Sequence, residues 1–405
     1  MSIAMSTHPN QEHHDRITER IARRSAEYPL PPSCASIDIL TLVFNTDPAI
    51  LRETAASVIA QDAPVWRWVI IDNGSTDAGT HEVLRDLASH SNIVIEPLPE
   101  NLGIVAGHRR GLELCIGEFV ALLDHDDVLT PDALRIVAWY IDRFDRPGFL
   151  YSDEDKCDTE HRRFAPLIKP DFSPALLNDT AYTCHLSVAE RTLLVGCGAF
   201  TDATVEGTQD WDMALRLVES GCAVVHVPEI LYSWRALPSS TALTLSSKPY
   251  VLDAQRNCLQ QHLRRQGLDD RFEVVANPMF PEPNGFWWIR RREGLPEPRV
   301  EIVVSGPMAP GQLREAVGLL ELIPDAGLIC TPHPDEPIDA HFRSCRRDAV
   351  TICAPWVARA TALTEIGAVD NDIAANDIAA NDLAGRLRSQ GWRTIATPFL
   401  TTGGR

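Results

Sequence analysis

The chain has 405 residues, 44% of them hydrophobic and 23% charged, and a formal net charge of -19. That balance builds a folded protein with a sizeable core in two or three domains. It also argues against a nucleic-acid partner, because binding a phosphate backbone needs a basic footprint and the longest basic run is Arg290-Arg291-Arg292. No apolar run reaches the ~18 residues of a membrane span, and the polar start around His13, His14 and Asp15 lacks a secretory core, so a cytoplasmic location is expected, with peripheral association at the inner membrane face as its one extension. The ten cysteines show neither CxxC pairs nor zinc-ligand spacing, so reduced core thiols are expected.

In chain order, residues 1–36 read as a polar tail with a helix, broken off at Pro29-Leu30-Pro31-Pro32. Strand and helix patterns then alternate. Strands are expected over Ile37 to Phe44, Val65 to Ile71, Asn92 to Ile95, Phe119 to Leu123 and Gly148 to Tyr151. The segments between them carry apolar residues at helical spacing, with Asp47-Pro48 and Thr130-Pro131 as helix starts. Repeated βα units with continuous apolar strands imply an α/β domain with a mostly parallel sheet, in which ligands bind beyond the carboxyl ends of the strands. At those ends lie Asn45-Thr46-Asp47, Asp72-Asn73 and Ser75, Asp124-His125-Asp126-Asp127, and Asp153 with Asp155. Four polar clusters on one edge point to a site.

The chemistry can be narrowed by elimination. Neither a GxxxxGK[ST] loop nor a GxGxxG turn is present, so phosphates must be held another way. Carboxylates repel a diphosphate unless a divalent cation lies between, and Mg2+ or Mn2+ accepts a few protein oxygens when phosphate and water complete its shell. The run Asp124, Asp126, Asp127 directly after a buried strand suits that role.

Residues 37–265 resemble a glycosyltransferase family 2 domain of GT-A fold. The resemblance runs through Phe44-Asn-Thr-Asp-Pro48, Asp72-Asn-Gly-Ser-Thr-Asp77, Asn101-Leu-Gly103, Leu122-Leu-Asp-His-Asp-Asp-Val128, Tyr151-Ser-Asp-Glu-Asp-Lys156, Gly207-Thr-Gln-Asp-Trp-Asp212 and Leu231-Tyr-Ser-Trp-Arg235. This set looks like that of bacterial O-antigen and cell-surface polysaccharide enzymes, rhamnosyltransferase-like members among them. It implies an inverting, metal-dependent transfer of a sugar from a UDP- or dTDP-sugar to a hydroxyl of a glycan or lipid-linked acceptor. Asp72 would accept from the donor's base, with Phe44 and Thr46 beside it and Asn73 and Ser75 in the same donor-side turn. Asp124 and Asp126 would lie near ribose and Mn2+ or Mg2+, with Asp127 an adjacent ligand. Asp210 would be the catalytic base, and Arg235 would meet pyrophosphate or acceptor. The chain departs from the family where Arg109 replaces a usual Asn. A guanidinium there either clasps the diphosphate or faces solvent. A non-catalytic nucleotide-sugar or glycan scaffold is the alternative reading.

Residues 266–300 read as a Pro-rich linker, and 301–405 as a partial, degenerate second GT-A-like module. Val188-Ala-Glu-Arg-Thr-Leu-Leu194 lines up with Val357-Ala-Arg-Ala-Thr-Ala-Leu363, Asp212-Met-Ala-Leu-Arg-Leu217 with Asp382-Leu-Ala-Gly-Arg-Leu387, Gly221 with Gly391 and Pro228 with Pro398. The position facing Asp210 is Ala380, and the five-residue repeat at 371–380 blurs the register. Packing, partner docking or a homodimer through this module is expected.

Overall fold

The computed structural model describes residues 11–64, 66–236, 249–280, 285–296, 300–306, 308–332, 342, 345–349, 353–368 and 380–400. All but the last residue of the repeat at 371–380, and Pro281 and Pro283 of the expected linker, lie outside them. Two compact units result, residues 1–172 with 183–258, and residues 173–182 with 259–405.

In unit 1 the elements are α1 (Gln11–Arg24), β1 (Ile37–Val43), α2 (Pro48–Ile59), β2 (Trp66–Asp72), α3 (Ala78–Leu87), β3 (Ile93–Pro97), α4 (Ile104–Leu114), β4 (Phe119–Leu122), β5 (Val128–Leu129), α5 (Ala133–Arg143), β6 (Phe149–Cys157) and β7 (Arg163–Leu167). After the short α6 (Pro174–Leu177), which counts with unit 2, come β8 (Ser187–Glu190), α7 (Arg191–Gly196), α8 (Gln209–Glu219) and β9 (Val224–Arg235). The sheet order is β3-β2-β1-β4-β8-β6-β9-β5, with β7 on β6. Strands β1 to β4 run parallel to one another, and β6 runs parallel to β9. Between these halves β8 is antiparallel to both β4 and β6. Asp47 caps α2 by accepting from the Ala49 and Ile50 amides, with Pro48 at its start.

Helix α4 lies close on β1 because it presents glycines there. A Cβ on Gly107 would meet Leu42 at 2.4 Å, and one on Gly111 would meet Leu40 at 2.2 Å. That contact fixes which face of α4 turns inward: Val105, His108 and Leu112 are buried alongside the two glycines.

Helix α1 is fastened to unit 1 by buried charge rather than by apolar contact alone. Arg24, 1% exposed, donates to both oxygens of Asp132 at 2.6 Å, to Thr130 Oγ1 at 2.9 Å, to Glu229 at 3.1 Å and to the Ile230 carbonyl at 3.2 Å. His13 lies 3.1 Å from Asp155, and Tyr28 donates to Glu229 at 2.9 Å.

In unit 2 lie β10 (Phe272–Ala276) paired with β11 (Trp287–Arg291), and β12 (Ile302–Ser305), α10 (Pro310–Leu322), β13 (Ala326–Thr331), β14 (Arg347–Asp348), β15 (Cys353–Arg359), α11 (Ala360–Glu365), α12 (Ala380–Ser389) and β16 (Arg393–Ala396). Helix α9 (Pro249–Arg265) precedes them. The sheet order is β12-β15-β13-β16-β14. Its first four strands repeat the order and direction of β4-β8-β6-β9: β12 antiparallel to β15, β15 antiparallel to β13, β13 parallel to β16. The registers agree with the sequence echo. Ala121 pairs with Val188 as Val304 pairs with Val357, and Phe149 pairs with Val224 as Leu328 pairs with Thr394. No helix among the described residues is long and apolar enough to cross a membrane.

Candidate functional site

The carboxyl ends of β1 and β2 are brought side by side by their parallel register, Val43 opposite Asp72. The turn after β2 is tightly made. Asp72 accepts from the Ser75 amide at 2.9 Å, and His81 lies 3.5 Å from its other oxygen. Ser75 Oγ accepts from the Asn45 amide at 3.0 Å. Gly74 sits at φ 77°, and a Cβ there would strike the Glu100 carbonyl carbon at 2.4 Å. Only glycine fits both demands. Asn73 is spent on the same turn: it accepts from the Leu102 amide and donates to Asn101 and to the Gly103 carbonyl. Asn73 and Ser75 therefore shape the turn after β2 through contacts within the chain. Phe44, 43% exposed, offers an open ring beside it, and the buried Thr46 Oγ1 has no hydrogen-bond partner among the described residues.

The acidic loop follows β4, and its members divide sharply. Asp124 is exposed and its carboxylate carries no hydrogen bond among the described residues, while Asp126 is partly buried, 3.8 Å from His125. Burial, and next to it the charge of Asp124, push the Asp126 carboxyl above its ordinary range, against the opposing pull of His125. Asp127 is fully buried, and both its oxygens are taken, by Tyr232 Oη and by the Arg235 amide at 2.7 Å. Burial and the two neighbouring acids push it well up. The expectation of Asp127 as a metal ligand is thus corrected. The antiparallel pairing of β5 with β9, Val128 opposite Ser233, turns it inward to anchor the loop.

Arg235 belongs to the same anchor. Its Nε donates to the Asp126 carbonyl at 2.7 Å, and its Nη1 lies 2.8 Å from Glu53 on α2. Fully buried, it grips the loop from beneath, which sets aside its expected contact with pyrophosphate or acceptor. Of the two readings of Arg109, the solvent-facing one is seen: it stands on the outer face of α4, 62% exposed in its side chain, with Glu113 4.0 Å away. The inward neighbour is His108, which holds the Ile104 carbonyl at 3.0 Å and stacks on Phe200 at 4.9 Å.

Asp210 opens α8, partly buried, with Gln209 Nε2 3.3 Å from one oxygen. Burial raises its affinity for a proton, the charge of Asp124 raises it further, and His108 and His185 act in the opposite sense. Asp210 therefore shares its field with the acidic loop and with two imidazoles. His185 is held flat against Tyr232 at 4.7 Å and edge-on to Trp234 at 5.5 Å. Asp212, two positions further into the helix, accepts from Arg216 at 2.6 Å. Beneath this end of the sheet Lys169 is fully buried against Glu154 at 2.9 Å, and its cation holds Glu154 below the ordinary value despite burial.

Of the acids in the loop, Asp124 and Asp126 are the two not closed off by burial and could hold a cation. Among the described residues no group of three His, Cys, Asp or Glu side chains is gathered closely enough to enclose an ion. The two carboxylates suit a hard cation whose shell is completed by phosphate and water.

Residues 38–172, within the α/β sheet of unit 1, match the model of Glycosyl transferase family 2. The matched residues include the turn after β2 and the acidic loop and end before Asp210. An uncharacterized protein of Sinorhizobium fredii, y4gI, is 37% identical over 246 residues, 60% of this chain and 27% of its own length. The O-antigen biosynthesis protein RfbC of Myxococcus xanthus is 31% identical over 326 residues, 79% of this chain and 24% of its own length. The chain thus spans about a quarter of the length of these relatives. A crystal structure of S. aureus TarS residues 1–349 overlaps 56% of this chain and 65% of that one, with 16% identity and a TM-score of 0.44.

Proposed function

We propose that the chain moves a sugar from a UDP- or dTDP-sugar to a hydroxyl of a glycan or lipid-linked acceptor, with inversion, in cell-surface polysaccharide synthesis. The observation that supports it is the position of Asp210 at the start of α8, where burial and then the field of Asp124 raise its proton affinity. A general base works best when its pKa moves toward the working pH. In this reading Phe44 and Asp72 receive the base of the donor, and Asp124 and Asp126 hold Mn2+ or Mg2+. A cation there neutralises the departing diphosphate. Asp210 takes the proton of the acceptor hydroxyl as its oxygen attacks the anomeric carbon. The names of relatives include O-antigen biosynthesis and putative teichuronic acid biosynthesis, which favours a surface polysaccharide as the product. The exposed position of Arg109 leaves its departure from the family pattern outside the site, so that departure does not argue for an inactive scaffold.

The test is transfer assayed with a panel of nucleotide-sugars and Mn2+ or Mg2+. Asp210→Asn should abolish transfer and leave metal-dependent nucleotide binding intact. Absence of both transfer and donor hydrolysis in the wild-type protein across the panel overturns the reading, and nucleotide binding that ignores a chelator overturns the role given to Asp124 and Asp126.

A further inference from the structure

Glu206 stands in the loop between α7 and α8, just ahead of Asp210. Its two carboxylate oxygens accept from the backbone amides of Ile104 and Val105, the latter at 3.1 Å. These are the opening residues of α4, whose cap position is Gly103 and offers no side chain of its own. A helix start leaves its first amides without partners and carries the positive end of the dipole, so a carboxylate brought there from elsewhere satisfies both. Gly103 sits at φ 86°, and a Cβ on it would come within 3.0 Å of Glu206 Oε1. The backbone conformation and the approach of the carboxylate ask for the same residue.

The same loop is fastened to α4 a second time, one turn further on, where Phe200 stacks on His108 with the rings 24° apart. From Glu206 to Asp210 the chain has little freedom. The Gly207 amide donates to Gln209 Oε1 at 3.1 Å, the Thr208 amide to the Val205 carbonyl at 2.8 Å, and Gln209 Nε2 to Asp210. Helix α4 in turn is seated through Gly107 and Gly111 on β1, the strand that pairs with β4 and so with the mount of the acidic loop.

We infer that Glu206 is a positioning residue for Asp210: it latches the α7–α8 loop to the start of α4 and so sets the carboxyl of Asp210 against the acidic loop. The inference rests on the reading of Asp210 as the base. Glu206 touches no substrate in this scheme; it acts through the three residues that separate it from Asp210.

The test uses the full chain with Glu206→Ala, Glu206→Gln and Gly103→Ala, each read by donor kinetics, metal-dependent nucleotide binding and amide hydrogen exchange. Glu206→Ala should lower kcat by about tenfold to a hundredfold, the scale expected when a reacting group is displaced by an ångström, with KM for the donor within about twofold. Gly103→Ala should do the same by driving the carboxylate off, and Glu206→Gln should fall between. Exchange should quicken at residues 104–105 and across 198–210 in Glu206→Ala. A Glu206→Ala enzyme that turns over at the wild-type rate, or one whose loss lies wholly in KM, overturns the inference. If the wild-type protein transfers no sugar, the proposed reaction fails by itself. The latch is then decided by exchange alone, and unchanged protection at 104–105 overturns it.

Discussion

Replacing Arg24 by Met would remove a cation that is 1% exposed while keeping most of its apolar volume. The guanidinium spends all its nitrogens on buried partners, two of them acids: Asp132, held at 2.6 Å through two parallel bonds, and Glu229 at 3.1 Å. Taking one member from a buried ion pair costs about 3–5 kcal/mol, because the other charge stays out of water without compensation. For a domain of this size that corresponds to a fall in Tm of roughly 6–20 °C. Glu229 keeps Arg20 and Tyr28 as donors, so the loss should concentrate on Asp132. Burial pushes the Asp132 carboxyl up, but Arg24 outweighs it and the group sits below its ordinary value. A carboxyl lowered in this way adds stability above its unfolded pKa of about 3.9, and loses it as pH falls through the folded value. The gap between wild type and Arg24→Met should therefore be widest near neutrality and close below about pH 4. Thermal and urea unfolding across that range measure it. The double variant Arg24→Met, Asp132→Leu should recover much of the loss, since an apolar replacement of a whole buried pair is close to neutral. A cost below about 1 kcal/mol at pH 7, or a gap independent of pH, would refute the claim that this pair fastens α1.

Three further outcomes are expected. Asp126→Asn should weaken Mn2+-dependent nucleotide binding by about tenfold or more in calorimetry, whereas Asp127→Asn, whose carboxyl faces Tyr232 and the Arg235 amide, should act mainly on thermal stability. Gly111→Ala would drive a methyl to 2.2 Å from Leu40 and should cost about 1–3 kcal/mol in urea unfolding by forcing α4 off β1. In unit 2, burial raises the Glu315 carboxyl to about 7, and the group accepts from Trp288 Nε1 at 2.7 Å. A raised carboxyl favours the fold below its unfolded pKa of about 4.3 and loses that benefit as pH rises to about 7, at most about 1.4 kcal/mol per pH unit. Glu315→Gln should flatten that part of the unit 2 melting profile; an unchanged slope would count against it.

The strand ends were legible because a parallel sheet gathers them on one edge whatever the loops do. The run from Phe119 to Leu123 is continuously apolar, so the acids after it had to emerge at that edge. Which acid turned inward was not legible. Asp127 is decided by a strand more than a hundred residues later, whose Tyr232 and Arg235 close over it. For α4 the sequence did hold the missing signal. Gly107 and Gly111, four apart, mark the face that lies on a neighbour, and that face carries His108 rather than Arg109. The same holds for α1, where polarity read as a tail. His13, Ile17, Arg20 and Arg24 follow helical spacing, and charged residues on a buried face become readable only when their acids, Asp132, Asp155 and Glu229, are known to lie opposite.

The two echoing sheets separate what a fold needs from what a reaction needs. Arg216 on α8 bonds Asp212 and the Cys197 carbonyl at the end of the preceding helix, and Arg386 on α12 stands against Asp382 and the Ile366 carbonyl in the same way. Gly198 and Gly367 end those preceding helices at φ 71° and 68°, and Gly221 and Gly391 turn into the following strands at 76° and 82°. These repeated contacts all concern caps, turns and packing. The positions that differ are those with chemistry. Tyr151 opposite His226 in one sheet is Cys330 opposite Ala396 in the other, and the sequence after β12, from Ser305 to Pro310, holds no acid where the first sheet has its loop. Ala380 stands in sequence where Asp210 would. Helix caps and strand registers are needed wherever the sheet is to fold, so they persist. A carboxylate whose burial raises its proton affinity, as at Asp210, costs stability, and such groups gather at functional sites. The presence of Asp124 and Asp210 in one sheet, with no acid at the matching positions of the other, is what the proposed role in unit 1 would require.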